Sequence, residues 1–180
     1  MKRFVHSVGV GLAGLALLSC AQQPAPVADE QVNVEADVQA IRAMLERNAV
    51  LLSTRNLDGW IDQFTDDAIF MPQDHVVVKG REAGREFTRP WYESFNAEFD
   101  VAVDEVEVHG GWAFARWSFT SQATPVGGGG TIERNGKEIW IFRRQPDGSW
   151  KCSHIIYNYD APTPDAVVDP RQQEGEVNDG

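Results

Sequence analysis

At 180 residues the chain suits one domain of ordinary size, and its formal net charge of −11 limits the partners to be expected. Such an acidic chain is a poor candidate for binding nucleic acid or anionic lipid headgroups, so we expect neither. No spacing of His, Cys, Asp and Glu suits a metal site, and no glycine pattern suits a nucleotide cradle. We therefore expect no metal and no cofactor.

The chain opens with a segment typical of a secretory leader. Lys2 and Arg3 form a positive start, and residues 8–18 form an apolar stretch too short to span a bilayer. This stretch runs into Ser19-Cys20, which resembles the lipobox of bacterial lipoproteins, where the cysteine is lipidated before cleavage. The resemblance implies an envelope protein that faces the periplasm and contacts the membrane only through lipid on Cys20. Ala21 in the next position favours the outer membrane over the inner.

Composition divides the chain into four segments. We expect a leader over residues 1–19 and a lipidated, Pro/Ala/Gln-rich tether over residues 20–32. A folded domain should follow over residues 33–160. Residues 161–180 are rich in Pro, Asp, Glu and Gln and poor in large apolar side chains, which predicts a disordered acidic tail.

Three helices are predicted in the first half of the domain. Apolar residues at spacings of three and four from Val34 to Leu52 predict a long amphipathic helix that Asn33 can cap. Residues 57–64 predict a short second helix. A third helix should run over residues 80–99, with a kink or a break where Pro90 interrupts it.

The remaining elements read as strands. After a short extended piece at residues 68–71, alternation of period two predicts strands over residues 101–108 and 112–122, the first with a bulge at Asp104-Glu105. Gly127 to Gly130 form a loop, and Asn135-Gly136 is a turn signal. A hairpin over residues 137–158 turns at Gln145-Pro146-Asp147-Gly148-Ser149. Helices followed by antiparallel strands predict the α+β class.

Several of these segments carry a resemblance to a known family. They are Leu57-Asp58-Gly59-Trp60, Asp66-Asp67-Ala68, Gly80-Arg81-Glu82, Gly111-Trp112-Ala113 and the run RRQPDGSWK from Arg143. Together with the element order they resemble the nuclear transport factor 2-like superfamily and, more narrowly, its bacterial SnoaL-like branch of the SgcJ/EcaC type. The resemblance implies a curved antiparallel sheet wrapped around about three helices as a cone, and dimerisation through the sheet.

That cone commonly holds a small apolar ligand in the family, and the residues support such a cavity here. Six tryptophans and nine phenylalanines are many for so short a domain. The expected ligand contacts are Trp60, Phe64, Phe70, Trp91, Trp117, Trp140 and Asn158. The alternative is a tightly packed aromatic core without a cavity.

Ketosteroid isomerases, polyketide cyclases and dehydratases belong to the same superfamily, which raises the possibility of catalysis. The isomerases' base would fall at Met71 or Pro72, neither of which can move a proton. Their second, hydrogen-bonding acid would fall near Trp140, and Glu138 is the nearest acid and on the same strand face.

Two other residues are candidate bases. His154 would share a strand face with Cys152, Ile156 and Asn158 and could face the cavity beside Glu138. Asp67 could serve if burial raised its pKa, whereas the simpler interpretation is that it binds backbone amides in a turn. Cys152 itself is interpreted as a packing residue.

Three hypotheses follow. The first is a lipid-anchored protein that binds a small, largely apolar molecule, without catalysis. The second is a cofactor-independent isomerase, cyclase or dehydratase that uses His154 or Asp67 as base and Glu138 as acid. The third is a non-catalytic, dimeric lipoprotein that binds a partner through its sheet.

Overall fold

The computed structural model describes residues 33–161. The leader, the lipidated Cys20, the tether and all of the acidic tail but its first residue lie outside this range, so those interpretations stay predictions. Among the described residues, no helix is long and apolar enough to cross a membrane.

Within residues 33–161, three helices and six strands follow one another in an α+β order, which confirms the predicted class. The helices are α1 (Val34–Ser53), α2 (Leu57–Ile61) and α3 (Arg81–Ser94). The strands are β1 (Phe64–Met71), β2 (Val78–Lys79), β3 (Phe95–His109), β4 (Trp112–Pro125), β5 (Ile132–Arg144) and β6 (Trp150–Tyr159).

All strands join in one sheet of order β2-β1-β6-β5-β4-β3, in which β3 to β6 form an antiparallel meander. Its one parallel pair joins β1 to β6. The helices cover one face of the sheet, because α1 packs on β3 and α3 on β1. This face carries the core, with Ile41 and Leu45 of α1 fully buried opposite Trp117 and Trp140.

Helix α1 begins as predicted, because the Asn33 side chain accepts a hydrogen bond from the Ala36 N–H at 3.1 Å. Asp37 in its first turn ties it to the end of β5. The Asp37 carboxylate accepts two hydrogen bonds from Arg144, at 2.9 and 2.5 Å, and one from Trp150 Nε1 at 3.0 Å. The helix and the sheet are thus joined by a partly buried ion pair in which each carboxylate oxygen accepts a hydrogen bond.

The predictions of α2 and α3 were too long at their C-terminal ends, whereas that of α1 agrees with the structure to within a residue. Residues 62–64 leave α2, and β1 starts at Phe64, so Asp66 and Asp67 lie in a strand rather than in a turn. Helix α3 continues through Pro90 without the predicted break and ends at Ser94. Buried Thr88 and Tyr92 hold the helix to the core on both sides of the proline, which explains why it continues.

The hairpin turn and the bulge in β3 are confirmed. Gly148 adopts φ +83°, and Asp147 Oδ1 accepts hydrogen bonds from the Ser149 N–H and hydroxyl at 3.0 and 2.7 Å. The register of β3 against β4 shifts between Val103 and Glu105.

The turn predicted at Asn135-Gly136 is wrong, because both residues lie inside β5. Glycine is needed at position 136 for space. A Cβ there would overlap the ring of Phe119 and lie 2.8 Å from the Asn158 carbonyl oxygen.

Candidate functional site: an aromatic cavity

A cavity of about 90 Å³ lies between the helices and the inner face of the sheet. Aromatic side chains make up most of its wall, among them Trp60, Phe70, Trp91, Phe119 and Trp140. The expectation of an aromatic-walled cavity therefore agrees with the structure, and the alternative of a core without a void does not.

The inner end of the cavity is closed and the other end is more open. Trp60, Phe70, Trp140 and Ile155 are each 6% exposed or less. At the other end Ile132, Arg134 and Tyr159 are partly exposed, whereas Ser121 and Ala123, which pair with this part of β5, are buried. A ligand would therefore enter from the Arg134 end.

Two of the predicted contacts lie behind the wall instead of in it. Phe64 and Trp117 are fully buried and do not line the cavity. The Phe64 ring lies 4.7 Å from that of Trp60 and 5.2 Å from that of Trp140, and Trp117 packs edge-on against Trp140. They form a second layer that fixes the wall rings in place.

Glu138 is the acidic group of the cavity, as the predicted strand face requires. Of the acids that the structure describes, it is the one whose side chain lines the cavity. Its Oε2 accepts a hydrogen bond of 2.6 Å from Trp140 Nε1. Burial raises the pKa of Glu138 to about 8, and the hydrogen bond from Trp140 opposes that rise. At neutral pH the carboxyl is therefore mostly protonated and can donate a hydrogen bond to a ligand.

The predicted orientation of His154 is wrong. Ile141 pairs with His154 but Phe142 pairs with Cys152, so Ser153 is an extra residue that forms a bulge in β6. The bulge reverses the alternation beyond it and places Ile155, Tyr157 and Tyr159 in the cavity wall. His154 does not line the cavity, and its Nδ1 lies 3.0 Å from the Ser153 hydroxyl.

Asn158 follows the same reversed alternation as His154. It is exposed and lies outside the cavity wall, where its amide donates to the Tyr159 carbonyl at 3.4 Å. The geometry thus brings neither Asn158 nor His154 to the place where a ligand would sit.

Asp67 also lies away from the cavity. Its carboxylate is 71% exposed and pairs with Arg143, which holds its pKa below the usual range, with further help from the Thr65 hydroxyl. Asp66 pairs with Arg81 at 2.6 Å. A low pKa and a bound arginine suit a structural ion pair and not a general base.

Cys152 is a packing residue, in line with its interpretation. It is fully buried, and its Sγ donates to the His154 carbonyl at 3.2 Å. Burial first, and the nearby Glu138 carboxyl second, raise the pKa of the thiol well above its usual value. Among the residues from 33 to 161, no group of His, Cys, Asp and Glu could hold a metal ion.

The sequence interpretation missed several polar groups of the cavity wall. They are Asn48 on α1, Thr88 on α3, Ser121 on β4, Arg134 on β5 and Tyr157 and Tyr159 on β6. Arg134 could have been found from the alternation of β5, because Glu138 and Arg134 are four residues apart and must share a face. Tyr157 and Tyr159 could not have been found in this way, because nothing in the sequence indicates the bulge in β6.

The fold and the cavity define a class of protein: a helix-covered, curved sheet that encloses an aromatic pocket. The family model described as SnoaL-like domain matches residues 35–152, so the chain belongs to the SnoaL-like family. A search of curated proteins finds no match.

Solved structures support the same fold. A ketosteroid isomerase-like protein from Erwinia carotovora atroseptica is similar with a TM-score of 0.65 and 19% identity, over 70% of this chain and 98% of that one. An NTF2-like protein with a cystatin-like fold from Novosphingobium aromaticivorans has a TM-score of 0.59 and 20% identity, over 72% of this chain and 85% of that one. An NTF2-like superfamily protein from Salmonella enterica serovar Typhimurium has a TM-score of 0.57 and 17% identity, over 72% of this chain and 92% of that one. At such identities the similarity concerns the fold.

Proposed function

We propose that this domain binds a small, largely apolar molecule in the aromatic cavity. The observation that carries the proposal is the wall itself, in which packed rings surround a void and one carboxyl group, that of Glu138, lines it. Apolar walls with a few oriented polar groups are the usual form of a small-molecule site.

The size of the cavity restricts the part of the ligand that it encloses. A dry cavity of ~150 Å³ in another protein holds one benzene ring. At about 90 Å³, with one end more open, this cavity suits a single ring or a short acyl chain inside, with the remainder at the mouth.

Binding can be tested with 4-phenylbutan-1-ol, an uncharged molecule with one ring. We expect saturable binding to the wild-type protein by isothermal titration calorimetry. Ala123→Phe, which places a ring in the cavity wall, should weaken binding at least about tenfold, since a lost ring contact costs more than ~1.4 kcal/mol.

Ala102→Phe is the matched control, because Ala102 is exposed on β3 and lies outside the cavity wall. It should bind like the wild type, and circular dichroism checks that both variants are folded. Equal binding by both variants, or no binding by the wild type, would refute the proposal.

A catalytic role is the second candidate, and the protonated Glu138 is the observation that favours it. A neutral carboxyl acid in an apolar site can stabilise negative charge that develops on a ligand carbonyl. His154 and Asp67 are outside the cavity wall, so an isomerase, cyclase or dehydratase would need a base other than these two. Turnover of a ketone substrate that Glu138→Gln lowers about a hundredfold would support this function.

The location in the cell envelope rests on the leader and on Ser19-Cys20. Lipid on Cys20 would hold the domain at the membrane without any contact from the acidic domain itself. The outer membrane is favoured over the inner because Ala21 follows the cysteine.

Homodimerisation is supported by the outer face of the sheet. Ile139 and Ile156 pair across β5 and β6 and are 42% and 45% exposed there. A second copy of the chain would cover them, and Ile139→Glu should then shift sedimentation from dimer to monomer. A wild-type protein that sediments as a monomer would refute the dimer and would favour ligand binding by single domains.

A further inference from the structure

Arg134 is the cation of the cavity wall, in a chain with a large excess of acidic residues. It is the one arginine or lysine, among the residues that the structure describes, whose side chain lines the cavity. It stands at the more open end, and Glu138 stands four residues further along the same strand. The two positions are therefore ~14 Å apart along an antiparallel strand.

The guanidinium of Arg134 is held in place but has no acidic partner in the described part of the chain. It lies over the ring of Tyr159, with 4.5 Å from the carbon of the guanidinium to the ring centre. Most other arginines that the structure describes pair with a carboxylate, for example Arg143 with Asp67.

The acids nearest to Arg134 along the strands are directed elsewhere. Glu133 accepts a hydrogen bond from Gln122 at 3.3 Å, and Asp160 pairs with Lys137 at 2.6 Å. No carboxylate among residues 33–161 thus occupies the hydrogen-bond donors of Arg134, and they can bind a ligand group. A planar fork of donors suits a carboxylate best, because the two can form parallel hydrogen bonds.

We propose that the ligand is a small apolar carboxylic acid, with its ring or acyl chain against the tryptophans and its carboxylate bound by Arg134 at the mouth. This inference rests on the proposed function and names the ligand class of the same site. Glu138 does not repel such a ligand, because it is mostly protonated at neutral pH and lies four residues from Arg134 along the strand.

The test compares two molecules that share one ring and one chain length, 4-phenylbutanoate and 4-phenylbutan-1-ol. Calorimetric titration of the purified protein at pH 7 and low salt should show the carboxylate binding about tenfold more tightly, as expected for a partly exposed charge-assisted hydrogen bond. Arg134→Gln should abolish this preference and leave the affinity for the alcohol within about twofold.

Lys79→Gln is the matched control. It removes one positive charge from an exposed side chain on β2 that does not line the cavity. It should keep the preference for the carboxylate. A preference that survives Arg134→Gln, or that Lys79→Gln abolishes equally, would overturn the inference.

The outcomes separate this inference from the proposed function. If the wild type binds the alcohol and the carboxylate equally, the carboxylate site is refuted and the apolar cavity stands. If it binds neither, both are refuted. If it binds both, prefers the carboxylate and loses the preference only with Arg134→Gln, both are supported.

Discussion

The buried Glu138 should make the protein less stable as the pH rises through neutrality. Its pKa is raised from 4.5 to about 8 in the folded protein. Between these two values the unfolded chain has lost the proton and the folded chain keeps it, so the folded state binds more protons. The free energy of unfolding must then fall as the pH rises, by ~1.4 kcal/mol per pH unit.

Over the whole interval from pH 4.5 to 8 the loss attributable to this one carboxyl is at most ~5 kcal/mol. Glu138→Gln removes the titrating group and keeps a neutral side chain of nearly the same shape. The difference in stability between variant and wild type should therefore grow with pH up to about 8 and then level off.

Urea unfolding at pH 5, 6, 7 and 8, followed by tryptophan fluorescence, measures this difference directly. Glu133→Gln is the control, because it removes one exposed carboxyl from the same strand and leaves Glu138 in place. It should follow the pH profile of the wild type. Parallel profiles for Glu138→Gln and the wild type would show that Glu138 is ionised at neutral pH, and the neutral acid in the cavity would be refuted.

Three further predictions concern packing, the ion pair and the membrane. Gly136→Ala should lower the free energy of unfolding by ~1–3 kcal/mol, because the added Cβ would overlap the ring of Phe119. Gly127→Ala is the control, since a Cβ there meets open space, and it should change this free energy by less than ~0.5 kcal/mol. Urea unfolding measures both variants, and equal losses would contradict the prediction. Asp37→Asn should cost ~2 kcal/mol in the same assay, because it breaks a partly buried, doubly hydrogen-bonded pair. Asp104→Asn in a more exposed pair should cost less than ~1 kcal/mol, and equal losses would contradict this. Cys20→Ser should move the protein from the membrane fraction to the soluble fraction of its host, and an unchanged distribution would refute the lipid anchor.

Local sequence signals predicted most of the elements. The spacing of apolar residues marked α1, Asn33 marked its start, and Pro146-Asp147-Gly148 marked the hairpin turn, because each of these acts within a few residues. The element ends were less predictable. Pro90 stays inside α3 and Gly136 inside β5, since packing of Tyr92 and Phe119 outweighs the local preference.

The candidate site could be predicted only in part, for the same reason. Trp60, Phe70, Trp91 and Trp140 were found because an aromatic-rich domain of this family has a ring-lined cavity. His154 was misplaced because a single residue, Ser153, reverses the alternation of β6.

The sequence by itself determined the α+β class, the hairpin and the abundance of aromatic residues, because helix spacing, turn chemistry and composition are local properties of a chain. The tertiary structure decided which polar groups face the cavity. The orientation of a side chain depends on the register between strands, and the pKa of an acidic side chain depends on the groups that other elements place around it. Only the folded sheet therefore brings Glu138 and Arg134 into the wall of one cavity and leaves Asp67 and His154 outside it.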